Sequence, residues 1–141
     1  MTQFVTFTID GQLFGLDLLR VREVNQVFDI TPVQHARPYI RGLVNLRGQT
    51  VVIFDLAVRL GLKPALMTEE SHAIVLKDER VGLLVDGIGD VVQAEESEIE
   101  SSLAHRGEME IRFSKGVIKL KEDLLVVLSA EKIIEQEMAE G

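Results

Sequence analysis

The chain has 141 residues, 46% of them apolar, so it can bury one ordinary core, and its lack of cysteine excludes disulfides and thiolate metal sites. No apolar run nears the roughly 20 residues of a membrane span, and the opening Met1-Thr2-Gln3-Phe4 lacks the basic-then-apolar pattern of a signal peptide. Net charge is −8, with seven basic and five acidic residues in 1–64 but eight against eighteen in 65–141; this disfavours phosphate backbones and gives the halves unlike surfaces, though a solvated acidic tail accounts for much of it. Residues 4–9 are β-branched and aromatic, with Val5, Phe7 and Ile9 on one face, and Asp10-Gly11 turns the chain into a second strand over 12–16. Asp17 caps a predicted helical turn with Leu18, Val21 and Val24 along one side. Strands are expected at 27–33, 40–46 and 49–54, with Gly48 at the last turn. Asp55 then caps a helix over 56–60, which Gly61 and Pro64 end. Residues 63–71 read as a connection. Strands resume at 73–76, 81–85, 91–94, 111–120 and 124–128, with an exposed acidic loop in 95–110. Ser129 caps a last helix, with Ile133, Ile134 and Met138 facing inward and Glu131 suiting the helix dipole.

The sequence repeats itself. Phe14-Gly15-Leu16-Asp17-Leu18 lies over Val81-Gly82-Leu83-Leu84-Val85, and without gaps Val21 meets Ile88, Glu23 meets Asp90 and Val24 meets Val91. Gly42-Leu43-Val44-Asn45-Leu46-Arg47 likewise lies over Gly116-Val117-Ile118-Lys119-Leu120-Lys121, and 51–54 over 125–128. Apolar strands resemble one another by chance. Two blocks in the same order, each with an aligned glycine, favour duplication. A half of this size buries too little surface to stand alone. The expected fold is therefore mainly β: two small barrels, residues 1–66 and 67–141, sharing an apolar seam, with short helices and a C-terminal helix.

Reactive chemistry is sparse. His35, His72 and His105 are far apart and read as solvated side chains without a nucleophile or metal-ligand neighbourhood. Asp86-Gly87-Ile88-Gly89-Asp90 lacks the third glycine of a dinucleotide loop and has carboxylates where phosphate would sit, so it reads as a tight turn. With no tryptophan and one tyrosine, a stacking face for nucleic acid is not expected. What remains is surface for protein contacts: Arg47, suited to bidentate pairing, and Glu23, which could pair with a partner or with each other.

Phe14-Gly15-Leu16-Asp17-Leu18, Glu23-Val24, Thr31-Pro32-Val33, Pro38-Tyr39-Ile40-Arg41-Gly42-Leu43-Val44-Asn45-Leu46-Arg47-Gly48 and Val52-Ile53-Phe54-Asp55 resemble the CheW family of bacterial chemotaxis coupling proteins. Val81-Gly82-Leu83-Leu84-Val85-Asp86-Gly87 and Leu125-Val126-Val127-Leu128 continue the likeness. The resemblance implies two five-stranded SH3-like β-barrels around a shared hydrophobic core. It implies no catalysis and no cofactor. It implies a cytoplasmic adaptor between the histidine kinase CheA, through its regulatory domain, and the cytoplasmic tips of methyl-accepting chemoreceptors.

By motif match, receptor contact falls on Val21, Glu23, Gly42 and Arg47, and kinase contact on Gly82, Val85, Asp86 and Asp90. The residues also allow a structural reading: Gly42 and Gly82 as positions with no room for a side chain, Val21 as core, Asp86 and Asp90 as turn caps. Rivals to the adaptor are a scaffold for a parallel motility or other kinase pathway, a small ligand- or oligonucleotide-binding barrel, and a small hydrolase. The second predicts a basic aromatic face and the third a clustered nucleophile and base, and the composition offers neither.

Overall fold

Among the described residues, ten strands form two five-stranded sheets whose strand orders map onto each other through the sequence repeat. The computed structural model describes residues 1–101 and 112–140. In order, the strands are β1 (Thr2–Ile9), β2 (Gln12–Asp17), β3 (Val21–Gln26), β4 (Ile40–Leu46), β5 (Gln49–Asp55), β6 (His72–Leu76), β7 (Val81–Val85), β8 (Gly87–Ala94), β9 (Ser114–Lys119) and β10 (Leu124–Leu128). Helix α1 is Leu56–Arg59 and α2 is Ala130–Glu140; single 3₁₀ turns cover Leu18–Arg20 and Glu96–Glu98.

Sheet A has the order β8-β1-β2-β10-β9 and sheet B the order β3-β6-β7-β5-β4. Replacing each strand of sheet A by its repeat-mate gives sheet B. The match extends to register: in the parallel pairs, Val126 faces Phe14 and Val127 faces Gly15, while Val52 faces Val81 and Ile53 faces Gly82. Each sheet thus takes one hairpin from one half of the chain and three strands from the other. The line at residues 66 and 67 divides sequence repeats, and both sheets cross it. The halves are interlocked by backbone hydrogen bonds as well as by a seam.

The ladders leave each sheet open, with one isolated bridge linking the outer edges. Thr31, beyond β3, pairs with Leu43 of β4, and Glu100, beyond β8, pairs with Val117 of β9. Both bridges exchange two backbone hydrogen bonds, at 2.8–2.9 Å and 2.7–2.8 Å. Gly42 and Gly116 adjoin them with φ of +149° and +141°, and a Cβ on either would run into the carbonyl oxygen of Thr31 or Glu100. Only glycine combines that backbone with that approach.

Both faces of the central strands are buried. In β7, Leu83 and Val85 enter the shared core with Phe7, Phe14, Phe54 and Val126, while Leu84 packs inside sheet B with Val44 and Ile53. In β10, Val126 and Leu128 face the shared core, while Leu125 and Val127 pack inside sheet A with Phe4 and Ile118. Two-sided burial explains the unbroken apolar runs of β7 and β10.

Three local expectations change. The helical turn at Asp17 lasts only over Leu18–Arg20, because Val21 onward pairs with β6 as a strand. Residues 27–33 form no strand beyond the Thr31 bridge. Residues 86–90 are no tight turn: β8 begins at Gly87 and runs beside β1. There a Cβ on Gly89 would sit 2.6 Å from Thr6 Oγ1, which donates instead to the Asp90 carbonyl at 2.5 Å. The caps stand as expected. Asp55 Oδ1 accepts from the Val58 amide at 3.4 Å, and Ser129 Oγ accepts from the Lys132 amide at 3.2 Å. Ile133 and Ile134 are buried, while Met138 and His105 lie outside the described side chains.

Candidate functional site

The β4–β5 connection is a two-residue turn. Arg47 and Gly48 both have positive φ, +53° and +82°, the pairing that matches strand twist in a tight hairpin. Asn45 Oδ1 accepts from the Gly48 amide at 3.0 Å and braces it. Left-handed backbone costs a residue such as arginine roughly 1–2 kcal/mol. The side chain held at that cost is 75% exposed and places Nη1 3.2 Å from Glu23 Oε2 on β3. Arg22 Nε lies 3.4 Å from the same oxygen, and Arg22 Nη1 donates to Gln49 Oε1 at 3.2 Å. Glu23 is only 14% exposed, and its Oε1 is buried without a hydrogen-bond partner among the described residues. The β3 edge, the hairpin tip and the start of β5 therefore share one charged cluster.

The other two residues matched to receptor contact lie beneath this surface. Val21 is buried in the shared core, and Gly42 is buried against Thr31. The apolar side chain that β3 offers to solvent is Val24, whose repeat-mate on β8, Val91, is more exposed still. Sequence reasoning put Val24 with Leu18 and Val21 along one side of a helical turn; as a strand the segment alternates from buried Val21, which turns Val24 to the opposite, exposed face.

The residues matched to kinase contact divide the same way. Gly82 and Val85 lie inside β7, and a Cβ on Gly82 would press within 3.0 Å of Ile53 Cδ1. Asp86 and Asp90 reach the surface. Asp86 Oδ2 accepts from the Asp10 amide at 2.8 Å and so locks the β1–β2 turn to the end of β7. Asp90 is exposed on β8.

Two buried polar groups hold the frame. Asp55 Oδ2 accepts from Arg41 Nη1 and from the Ala65 amide, each at 3.0 Å. Arg59, missed by sequence reasoning, is 3% exposed between the rings of Tyr39 and Phe113, 4.3 and 4.5 Å from their centroids. Its Nε and Nη2 donate to the Ile133 carbonyl at 2.9 and 2.6 Å, tying α1 to α2. Glu131 at the start of α2 pairs with Arg20 at 2.9 Å. A hydrogen bond from its own amide, aided by Arg20, Lys115 and Ser129 against the opposing effect of burial, holds its carboxyl below the ordinary value of 4.5.

Among the described residues no group of three metal-ligating side chains assembles, and no helix is long and apolar enough to cross a membrane. A CheW-like domain model matches residues 3–138. The chain belongs to the CheW family. It is 30% identical over 141 residues to the probable chemotaxis protein CheW of Rhizobium etli, covering 99% of this chain and 91% of that one. It is 31% identical over 137 residues to the chemotaxis protein CheW of Thermotoga maritima, covering 95% and 88%. Its fold is similar to the crystal structure of the scaffolding protein TtCheW from Thermoanaerobacter tengcongensis, with a TM-score of 0.83 and 25% identity over 94% of this chain and 87% of that one. Membership of the CheW family makes the chain a chemotaxis adaptor, a scaffold rather than an enzyme.

Proposed function

We propose that the chain bridges the histidine kinase CheA to the cytoplasmic tips of methyl-accepting chemoreceptors, working in the cytoplasm at the receptor array. The observation that carries this reading is Arg47, an exposed arginine kept in left-handed backbone and ion-paired to Glu23, in a chain of the CheW family. Glu23 and Arg47 make the receptor contact. Val21 and Gly42 serve it from below, by seating β3 and by letting Thr31 close against β4. Asp86 and Asp90 face the kinase's regulatory domain, while Gly82 and Val85 shape β7 behind them.

Charges at such rims set orientation and reject wrong partners more than they add affinity. Modest single contacts gain strength when several are engaged at once. An adaptor shifts a two-state kinase only by binding one geometry better than the other. Co-sedimentation with receptor fragments and kinase tests the reading. The chain is expected to enter the assembly and change kinase output; absence from the pellet, or unchanged output, would overturn it.

A further inference from the structure

A cleft of about 340 Å³ opens where the β1–β2 turn and the end of β7 meet the connection after α1. Its apolar lining includes Ile9 and Ala57, which are 1% and 2% exposed. Leu66, which also lines it, is 81% exposed, the most exposed large apolar side chain described. A bare apolar side chain beside an apolar lining is a contact surface without its contact. The wall that carries Leu66 is built in advance: the Ala65 amide is held by buried Asp55 at 3.0 Å and the Ala65 carbonyl by Arg41 Nη1 at 2.8 Å. Little ordering remains to oppose binding there.

The other wall is acidic. The hydrogen bond from the Asp10 amide to Asp86 Oδ2 sets two carboxylate residues side by side, both lining the cleft. Among the described residues neither forms an ion pair, and Lys63, in the same cleft, is paired with neither. Two unneutralised carboxylate residues lining one cleft draw a cation, and a guanidinium, with its planar fork of donors, suits them best.

We propose that this cleft receives a partner segment in which a large apolar side chain stands beside an arginine or lysine. The apolar side chain lies on Leu66 and the lining formed by Ile9 and Ala57, and the cation lies at Asp10 and Asp86. The inference deepens the coupling reading, because Asp86 belongs to the kinase-facing surface; it rests on that reading only for where the segment comes from.

The test titrates the ¹⁵N-labelled full chain with acetyl-Ala-Leu-Arg-Ala-amide and, as control, acetyl-Ala-Leu-Glu-Ala-amide. The arginine peptide is expected to shift the amides of Asp10, Gly11, Ala65 and Leu66, and the glutamate peptide to leave them in place. Leu66→Ser, which leaves the melt unchanged, and the double change Asp10→Asn with Asp86→Asn should each weaken the arginine peptide at least threefold. Equal shifts from both peptides, shifts elsewhere, or none at millimolar peptide would overturn the proposal. Concentration-dependent dimers in sedimentation velocity that Leu66→Ser abolishes would also overturn it, naming a second copy as the occupant. Co-sedimentation of the unaltered chain reports separately on coupling: it can fail while the peptide still binds, and it can succeed while the cleft stays empty.

Discussion

Arg47 and Glu23 sit 24 residues apart in sequence, yet their side chains meet at 3.2 Å across the end of sheet B. The pairing is asymmetric, since the arginine is 75% exposed and the glutamate 14%. An ion pair with one arm in water contributes little to stability, typically below about 1 kcal/mol. Arg47→Glu should therefore leave the thermal midpoint within a few degrees while receptor co-sedimentation falls. A large drop in the midpoint would make Arg47 a structural residue.

The backbone at Arg47 gives a sharper version of that test. Glycine adopts φ near +53° without the steric cost arginine bears. Arg47→Gly is expected to hold or raise stability in urea titrations while reducing receptor coupling. A loss of stability comparable to the loss of coupling would contradict a contact role.

Gly42 and Gly116 make the same demand in the two sheets, so their substitution should have matched effects. A methyl group at either collides with a backbone carbonyl that its own bridge holds in place. Gly42→Ala and Gly116→Ala should each cost on the order of 2–3 kcal/mol of unfolding free energy. Receptor coupling lost by Gly42→Ala would then track unfolding, and Gly116→Ala serves as the control remote from Arg47 in sequence. Near-neutral stability in either variant would show that the chain relaxes there.

Much of this frame was legible in the sequence. The Asp10-Gly11 hairpin and the caps at Asp55 and Ser129 depend on neighbours in the chain, and short-range signals carry them, while the repeat shows as two aligned blocks in the same order. The parallel pairs β2–β10 and β5–β7 were not legible, because their partners lie in opposite halves and no turn encodes their register. Leu18, Val21 and Val24 recur at the three-residue spacing of a helix face, and the pairing of β3 with β6 overrode that local pattern. At the site, Val21 and Val85 are assigned to contacts by motif match alone, and an apolar strand residue looks the same in sequence whether it faces a core or a partner. In β7, with both faces buried, alternation could not sort Val85, whereas edge strand β3 does alternate from buried Val21. Arg59 carried no signal, since a lone arginine at the end of a short helix ordinarily points to water.

Arg59 supplies a prediction about the fold. Lysine keeps its charge but has one nitrogen where the guanidinium uses two on the Ile133 carbonyl, and it lacks the flat face that stacks between Tyr39 and Phe113. Arg59→Lys should cost about 1–3 kcal/mol. Hydrogen exchange should quicken first in α2, which loses its tie to α1. Uniform exchange, with no early loss in α2, would mean that Ile133 and Ile134 hold the helix unaided.

Acid should loosen the same helix through Glu131. Its carboxyl is held below the ordinary value mainly by a hydrogen bond from its own amide, with Arg20, Lys115 and Ser129 assisting and burial opposing. A group whose folded pKa is depressed adds stability in full above its unfolded pKa and loses it as pH falls through the folded value. In urea titrations from about pH 6 down to about pH 3, Glu131→Gln should be the less stable chain at the upper end, and the two curves should converge at the lower. Because the side chain is 57% exposed and its partner Arg20 33%, moderate salt should shrink the gap as well. A gap that stayed constant with pH, or widened on acidification, would show that Glu131 acts through packing or helix propensity and not through its charge.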